Sequence, residues 1–316
     1  MKSSNKKNQK KAMDRLVIEA PERLCIYDTQ TFRDTIYFLN TLDYQVLVEH
    51  QCVHLDFSKT MYFSAAAALM LFAKVTRCQC SGPLIFSVNP ENVVTASLPI
   101  DEKAREQMIN NGLWAAIRPG GQKKLDRLWD NWKNPYKSGS NPAAEIKDVI
   151  DMLQSRFVKL PNKLIAALQE AYLNIAHHAY LNFKSEVKLP ISEFMIGRWW
   201  QYAQKNKDGS IGCIVYDMGS GIPSSILSSV LFPGDDCEQI HYAMQSGNSR
   251  YDIQGRGMGF DNIKKPIEVN ASAEYLLVCS GYGRIFYNKG QESERRLQTL
   301  GIQGTLIEWS FGDTEK

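Results

Sequence analysis

Short apolar runs alternate with stretches of helical spacing over the first third of the chain. Short apolar runs bounded by polar residues are typical of strands, whereas a longer Ala-rich stretch is typical of a helix packed on a sheet. We predict strands at residues 16–19, 24–27, 53–57 and 84–87, and helices at residues 65–75 and 105–110. This alternation predicts an α/β domain over residues 15–118.

Hydrophobic patterns typical of helices and strands return in the second half, after a segment of different composition. Residues 119–143 are rich in Gly, Pro, Lys, Asn and Trp, which indicates a linker between two domains. Beyond it we predict helices at residues 144–156 and 163–180, and strands at residues 211–216, 275–279, 284–287 and 306–311. Three aromatic residues of the linker are expected to pack at a contact between domains or in a homodimer: Trp129, Trp132 and Tyr136.

Length and composition favour two folded domains. The chain has 316 residues, 44% hydrophobic and 22% charged, so it can bury a substantial core. Its net charge of +3 does not by itself indicate nucleic acid or a membrane surface as a partner. We interpret residues 1–14, with lysine at positions 2, 6, 7, 10 and 11, as a flexible basic tail; an arm for nucleic acid or an acidic partner is the alternative.

The cysteines and the hydropathy pattern bear on the cellular compartment. Seven cysteines are scattered without paired CxxC units or Cys/His spacing, so we expect reduced thiols and no zinc site. No secretory signal is recognised at the start, and the most apolar run, residues 64–75, is too short to span a bilayer. We therefore predict a cytoplasmic protein that does not enter a membrane.

Three polar residues recur at every fourth position of the predicted helix at residues 163–180. They are Glu170, Asn174 and His178, and this spacing places all three on one helical face. A solvated polar face would show the same spacing, so the pattern alone does not define a site.

An acid followed by two glycines ends the predicted strand at residues 211–216. Asp217 can accept a hydrogen bond from an exocyclic amine such as that of adenine, because an ionised carboxylate offers only acceptor oxygens. Gly219 and Gly221 would let a flat base approach the backbone closely. An ordinary Asp/Gly turn is the alternative interpretation.

A second glycine-rich segment precedes another predicted helix. Gly255, Gly257 and Gly259 alternate with Arg256 and Met258 immediately before the helical pattern starts. Backbone N–H groups without neighbouring side chains can point at an anion, and a helix N-terminus adds partial positive charge. The segment therefore predicts a phosphate cradle.

In order and spacing these three segments resemble the sequence boxes of the GHKL ATPases, over roughly residues 160–311. This family includes gyrase, heat-shock chaperone ATPases, histidine kinases and the anti-sigma-factor kinases, and the last are closest in type. Gly304 and Thr305 also resemble the late Gly-Thr element of the family, whose threonine assists adenine binding.

The resemblance implies ATP and Mg²⁺ as cofactors. It implies Asn174 as the magnesium ligand, Asp217 as the acceptor of the adenine amine and Thr305 as an aid to adenine binding. Glu170 is the implied general base. His178 and the two glycine segments are implied to line the nucleotide site.

Residues 223–254 correspond to the family's ATP lid, a loop that closes over bound nucleotide. Arg250 or Arg256 could reach the terminal phosphate, and Lys264 and Lys265 are candidates for the same contact. Solvated cations are the alternative interpretation for all four.

The first half resembles STAS domains, the fold of anti-sigma-factor antagonists. Residues 55–70 resemble their strand-to-helix segment, and residues 111–114, NGLW, resemble their later Ser-Gly-Leu-Phe element. The place of the serine that is phosphorylated in those antagonists is Ala66 here, with Ser64 nearby. Together the resemblances imply an α/β (α+β) protein, with a STAS-like α/β domain followed, in residues 144–316, by a GHKL-type α/β sandwich with a mixed sheet and an ATP lid.

The leading hypothesis is a regulatory Mg-ATP-binding protein with slow ATPase or serine/threonine-type protein kinase activity. Its STAS-like domain would sense a signal or dock a protein partner or substrate. The alternative is a non-catalytic, nucleotide-dependent protein-binding switch. A scaffold with decayed motifs is a third hypothesis, against which the intact Asp217 and Asn174 argue. A histidine kinase is not expected, because no long two-helix dimerisation segment precedes the ATP-binding boxes.

Overall fold

A computed structural model describes residues 15–181, 195–227, 234–245, 259–289 and 291–313. The first half contains β1 (Leu16–Glu19), β2 (Arg23–Leu24), α1 (Thr29–Leu47), β3 (Val53–Asp56), β4 (Tyr62–Phe63), α2 (Ala65–Phe86), α3 (Pro90–Val93), β5 (Val94–Ala96), α4 (Glu102–Asn110) and α5 (Leu113–Ile117). The rest contains α6 (Gly121–Asp130), β6 (Tyr136–Gly139), α7 (Pro142–Arg156), α8 (Leu164–Asn174), a π-helical turn (Ile175–Ala179), β7 (Trp199–Lys205), β8 (Ile211–Asp217), α9 (Gly221–Leu227), α10 (Asp236–Met244), α11 (Gly259–Val269), β9 (Ala273–Asn288) and β10 (Gln291–Phe311).

The first half is an α/β arrangement with parallel strands. Strands β1, β3 and β5 form a three-stranded sheet in that order, and β2 pairs with β4 in a separate parallel ribbon. Helices connect these strands, as parallel pairing requires. The mixed α/β class predicted from the sequence is confirmed.

The second half is built on a five-stranded sheet with the order β6-β7-β8-β10-β9. All four pairings are antiparallel, so the expectation of a mixed sheet in this half is wrong for the described strands. The reason lies in the connections. Strands β7 and β8, and strands β9 and β10, are joined as antiparallel neighbours, and β10 lies between β8 and β9, the two strands that run in the same direction.

Helix α2 is buried along most of its length and packs between the two halves. Ser64 caps its N-terminus by accepting a hydrogen bond from the backbone N–H of Ala67, which gives this serine a structural role. The side chains of residues 66–79 are buried, and the apolar ones among them share one core with residues of the five-stranded sheet. In the described part of the chain, no helix combines the length and apolar character needed to cross a membrane.

The strand predicted at residues 84–87 is wrong, because α2 continues to Phe86. Pro83 lies in the last turn of the helix, so any kink that it causes affects only the few residues up to Phe86. Ser87 then ends the helix in the left-handed conformation, and its N–H donates to the carbonyl of Pro83. Apolar content alone did not distinguish a strand here from the last turn of a buried helix.

The segment predicted as a linker, residues 119–143, is folded. It contains α6 and β6, and β6 pairs with β7 at the edge of the five-stranded sheet. The ring of Tyr136 packs edge-on against Phe72 of α2 at 5.9 Å, and Trp129 packs edge-on against Trp199 at 6.1 Å. These aromatic side chains therefore join the connecting segment to α2 and to the sheet.

The two faces of the five-stranded sheet bury different sets of residues. Ile214, Tyr216 and Met218 face α1, α2 and the first half. Cys213 and Val215 face the layer that contains α8 and α11. Because side chains alternate along a strand, the residue that ends β8, Asp217, lies on the same face as α8.

Candidate functional site

Asp217 is a buried acid at the end of β8, only 5% exposed. It lies directly opposite Thr305 in the antiparallel pairing of β8 with β10. The backbone N–H of Gly219 donates to Asp217 Oδ1 at 2.8 Å, and the backbone N–H of Thr305 donates to the same carboxyl group. Burial raises the pKa of Asp217 to about 7, although these two hydrogen bonds partly oppose the shift.

The glycines around Asp217 are required by close backbone approach. A Cβ atom on Gly219 would overlap the carbonyl oxygen of Ala179, which accepts a hydrogen bond from the N–H of Ser220 at 2.7 Å. Gly221 and Gly304 both have φ of +78°, a conformation that side chains strain. The turn therefore presses directly against the π-helical turn on one side and β10 on the other.

Thr305 belongs to a small hydroxyl cluster that supports this turn. Ser280 Oγ donates to the carbonyl of Gly304 at 2.8 Å and lies 3.2 Å from Thr305 Oγ1. The N–H of Ile222 donates to Ser280 Oγ at 2.9 Å. Ser280 was not predicted from the sequence, because a single serine inside a long apolar strand carries no motif. The structure thus brings Asp217, the two glycines of its turn and Thr305 together.

Glu170 lies on α8 against the first turns of α11. Its Oε1 accepts a hydrogen bond from Asn262 Nδ2 at 3.0 Å. Helix α11 begins at Gly259, so the prediction of a helix starting at the end of the glycine segment is confirmed. Asn262 was missed as a site residue, and its only sequence signal is its position three residues after Gly259.

Asn174 and His178 lie between these two groups of contacts. Asn174 is half-buried and is the last residue of α8. His178 lies in the π-helical turn, with its ring edge-on to that of His177 at 6.1 Å between centroids. At 1.5 Å per residue, Glu170 and Ala179 are roughly 13 Å apart along the helix, so this element extends from α11 to the Asp217 turn. A π-helical turn inside a helix is frequently found at functional sites.

Several predicted residues lie outside the described part of the chain. They are Arg250, Gly255, Arg256 and Gly257, together with residues 228–233 and 246–254 of the predicted lid. The described parts of the lid contain the end of α9 and all of α10. Asp235 and Glu238 form a reciprocal capping box at the start of α10, which stabilises that helix independently of any ligand.

The polar groups at the Asp217 turn have hydrogen-bonding chemistry that is compatible with a nucleotide. The hydroxyl of Ser220, between the two glycines, is buried without a hydrogen-bond partner among the described residues. Within that same part of the chain, no three His, Cys, Asp or Glu side chains lie close enough to hold a metal ion by themselves. Magnesium bound with ATP does not need such a cluster, because phosphate oxygens and waters supply most of its ligands. One amide oxygen, that of Asn174, is compatible with this chemistry.

No protein-family model matches this chain, and comparison with curated protein sequences finds no match. Support for a function therefore comes from the site itself: its buried acid, its glycines and the helix that faces them.

Proposed function

We propose that this protein binds Mg-ATP at the Asp217 turn and uses it as a regulatory ATPase or protein kinase of the GHKL type. The observation that carries the proposal is a buried carboxyl group at a strand end, ringed by glycines, on the same sheet face as a helix with Glu170 and Asn174. Burial of an acid without a cation among its hydrogen-bond donors costs stability, so a ligand that donates to it would compensate.

Each residue of the turn has a role in holding the base. Asp217 would accept a hydrogen bond from the adenine amine, and Thr305, directly opposite, would contact the same edge of the base. Gly219 and Gly221 let the turn pack closely on Ala179 and on Ser280, which would hold Asp217 in place for the base. The specificity for adenine would come from the acceptor, since a base that presents an oxygen at this place would meet another oxygen.

The phosphates would lie toward α11, whose N-terminus follows the glycine segment. Asn174 would hold the magnesium ion through its amide oxygen. When bound, magnesium supplies charge neutralisation on the phosphate oxygens. Glu170 would orient or deprotonate the attacking water or hydroxyl group, and Asn262 fixes the orientation of its carboxylate.

A second candidate function is a switch that binds ATP without consuming it. The hydrogen bond from Asn262 engages Oε1 of Glu170, one of the two oxygens that could take a proton. If that contact persists with ATP bound, Glu170 is a structural partner of α11, and nucleotide binding would act only through conformation. In either case the first half of the chain is proposed as the part that senses a signal or docks a protein partner.

The test is calorimetric titration with ATP and magnesium, followed by measurement of phosphate release on the same sample. We expect binding by the wild-type protein and its loss in Asp217→Asn. Asp208→Asn, which alters an exposed acid in the β7–β8 connection, is the matched control and should bind normally. Glu170→Gln should bind ATP but release no phosphate if the protein is an enzyme. Equal turnover by wild type and Glu170→Gln would exclude Glu170 as the base, and absence of ATP binding by the wild type would reject the proposed function.

A further inference from the structure

Gln303 connects the Asp217 turn to a helix from the other half of the chain. Its side-chain Nε2 donates to the carbonyl of Met218 at 3.0 Å, and its Oε1 accepts from Arg77 Nη1 at 2.7 Å. The hydroxyl of Tyr216 donates to the backbone carbonyl of Gln303 at 2.9 Å. One amide side chain therefore spans from the residue after Asp217 to α2.

Arg77 is itself held in place by buried charge. Its side chain is 9% exposed and lies 3.4 Å from Asp43 of α1, measured from Nη1 to Oδ2. Lys74, one turn earlier on α2, lies 2.5 Å from the same carboxylate oxygen. A hydrogen-bonded ion cluster with so little exposure to water is costly to break, because each charge would be left unpaired. The geometry of Arg77 is thus fixed before any ligand arrives.

We infer that Arg77 and Gln303 are positioning residues of the nucleotide site, through which the first half of the chain sets the shape of the Asp217 turn. The inference rests on the proposed function, since it names residues of that same site. Neither residue would touch the nucleotide. Gln303 fixes the carbonyl of Met218, and this holds the following N–H of Gly219 where it can donate to the Asp217 carboxylate.

The consequence is that contacts made far from the turn change its affinity for nucleotide. Any partner that shifts α2 along its axis would move Arg77 and release Gln303. The α2 end of the connection is separated from Gln303 by 226 residues in sequence, so the link exists only through the fold. It supplies a physical route from the proposed docking half to the nucleotide site, with a defined element at each end.

The test uses the full chain with three variants. Arg77→Met removes the donor to Gln303 and leaves Asp43 paired with Lys74. Gln303→Glu has nearly the same shape and keeps an acceptor for Arg77, but it lacks the donor to Met218, so it separates the two hydrogen bonds. Arg284→Met is the matched control, because Arg284 is also a buried arginine that joins the sheet to the first half, by donating to the carbonyl of Ile26 at 2.7 Å.

Two measurements decide the outcome. Hydrogen exchange of the amides at residues 216–222, without nucleotide, should be roughly tenfold faster in Arg77→Met and Gln303→Glu than in wild type or Arg284→Met. ATP affinity should fall by a similar factor in the same two variants. The double variant should lose no more than either single one, since both changes break the same connection.

Unchanged exchange and affinity in Gln303→Glu, the substitution closest in shape to the original side chain, would overturn the inference. Equal effects of Arg284→Met would also overturn it, because they would reflect a general loosening of the two halves. If the wild-type protein binds no ATP, the proposed function fails, and amide exchange alone then decides whether Arg77 and Gln303 hold the turn.

Discussion

Among the residues that the structure describes, the five-stranded sheet buries one carboxylic acid on each face, Asp217 and Glu308, and the two acids have different surroundings. Asp217 faces α8 and accepts its hydrogen bonds from backbone N–H groups. Glu308 faces the first half of the chain and accepts hydrogen bonds from the hydroxyls of Tyr27 at 2.7 Å and Tyr275 at 3.0 Å. Burial raises the pKa of both acids to about 7.

The comparison shows that a raised pKa does not by itself identify a ligand site. At Glu308, tyrosines from both halves donate hydrogen bonds to one carboxyl oxygen, Oε1. The other oxygen, Oε2, is buried without a hydrogen-bond partner among the described residues. This arrangement is consistent with a protonated acid. Around Asp217, the hydrogen-bond donors are the backbone N–H groups of Gly219 and Thr305, and the nearby glycines bring neighbouring backbone segments close together. Glu308 is therefore part of the contact between the halves, whereas Asp217 is the acid of the proposed ligand site.

The largest expected effect is a difference in ATP affinity between variants of the two acids. Asp217→Asn should weaken ATP binding about a hundredfold, because the acceptor for the adenine amine becomes a donor. Glu308→Gln should leave the affinity within about threefold of wild type, because its face is remote from the proposed ligand. Titration calorimetry of both variants under one condition measures this difference. Equal losses in the two variants would contradict the distinction between the faces.

The next effect tests the close approach at the turn. Gly219→Ala should destabilise the protein by about 2 kcal/mol, because its Cβ would overlap the carbonyl of Ala179 and the backbone must move. Gly212→Ala is the matched control on β8, the strand that leads to this turn, where an added Cβ meets no atom within 4 Å. Urea unfolding compares the two variants. A control as unstable as Gly219→Ala would show that the strand, and not the turn, is sensitive.

The pH dependence distinguishes the acids by a smaller effect. In the proposed site the adenine amine requires ionised Asp217, so ATP affinity should rise about tenfold between pH 6 and pH 8, on either side of a pKa near 7. Glu308→Gln should retain this profile, measured by calorimetry at the two pH values. A flat profile in the wild-type protein would argue against Asp217 as the acceptor.

Stability without ligand should change with pH in the opposite sense. Both acids have a folded pKa above the ordinary value, so their contribution is fully present below about pH 4 and is lost as pH rises toward 7. Asp217→Asn and Glu308→Gln should each remove part of this slope in urea unfolding measured across that range.

The smallest expected effect concerns the Glu308 face alone. Tyr27→Phe removes one hydrogen bond to Glu308 and should cost about 1 kcal/mol of unfolding free energy, with ATP affinity unchanged. Thermal unfolding with and without ATP provides both numbers. A loss of affinity equal to that of Asp217→Asn would mean that the two faces are not independent.

Local signals in the sequence predicted the elements around the turn well. The strand at residues 16–19, the strand that ends at Asp217 and the helix that begins at Gly259 all agree with the structure. Each of these elements is indicated by residues that are close together in the chain: an apolar run in the two strands, and a series of glycines before the helix. The two strands predicted at residues 275–279 and 284–287 are one continuous strand, β9, because the polar and glycine residues between them remain paired with β10.

Long-range features could not be predicted in the same way. Strand β7 was missed, because its sequence WWQYAQK is buried on both faces and shows no clean alternation. Arg77, Gln303, Ser280 and Asn262 carry no motif, and each acquires its contact only when distant segments meet. The positions of the glycines were visible from the sequence, but the close packing that requires Gly219 and Gly221 was not.

The burial of α2 between two sheets also bears on how the molecule comes apart. Its side chains belong to one apolar core that extends from the three-stranded sheet to Trp200 and Tyr216 of the five-stranded sheet. Unfolding of either half would remove one of the two surfaces that cover this helix. It would also expose apolar surface of the other half to water. We therefore expect a single cooperative denaturation transition for the whole chain, with fluorescence and circular dichroism giving the same midpoint.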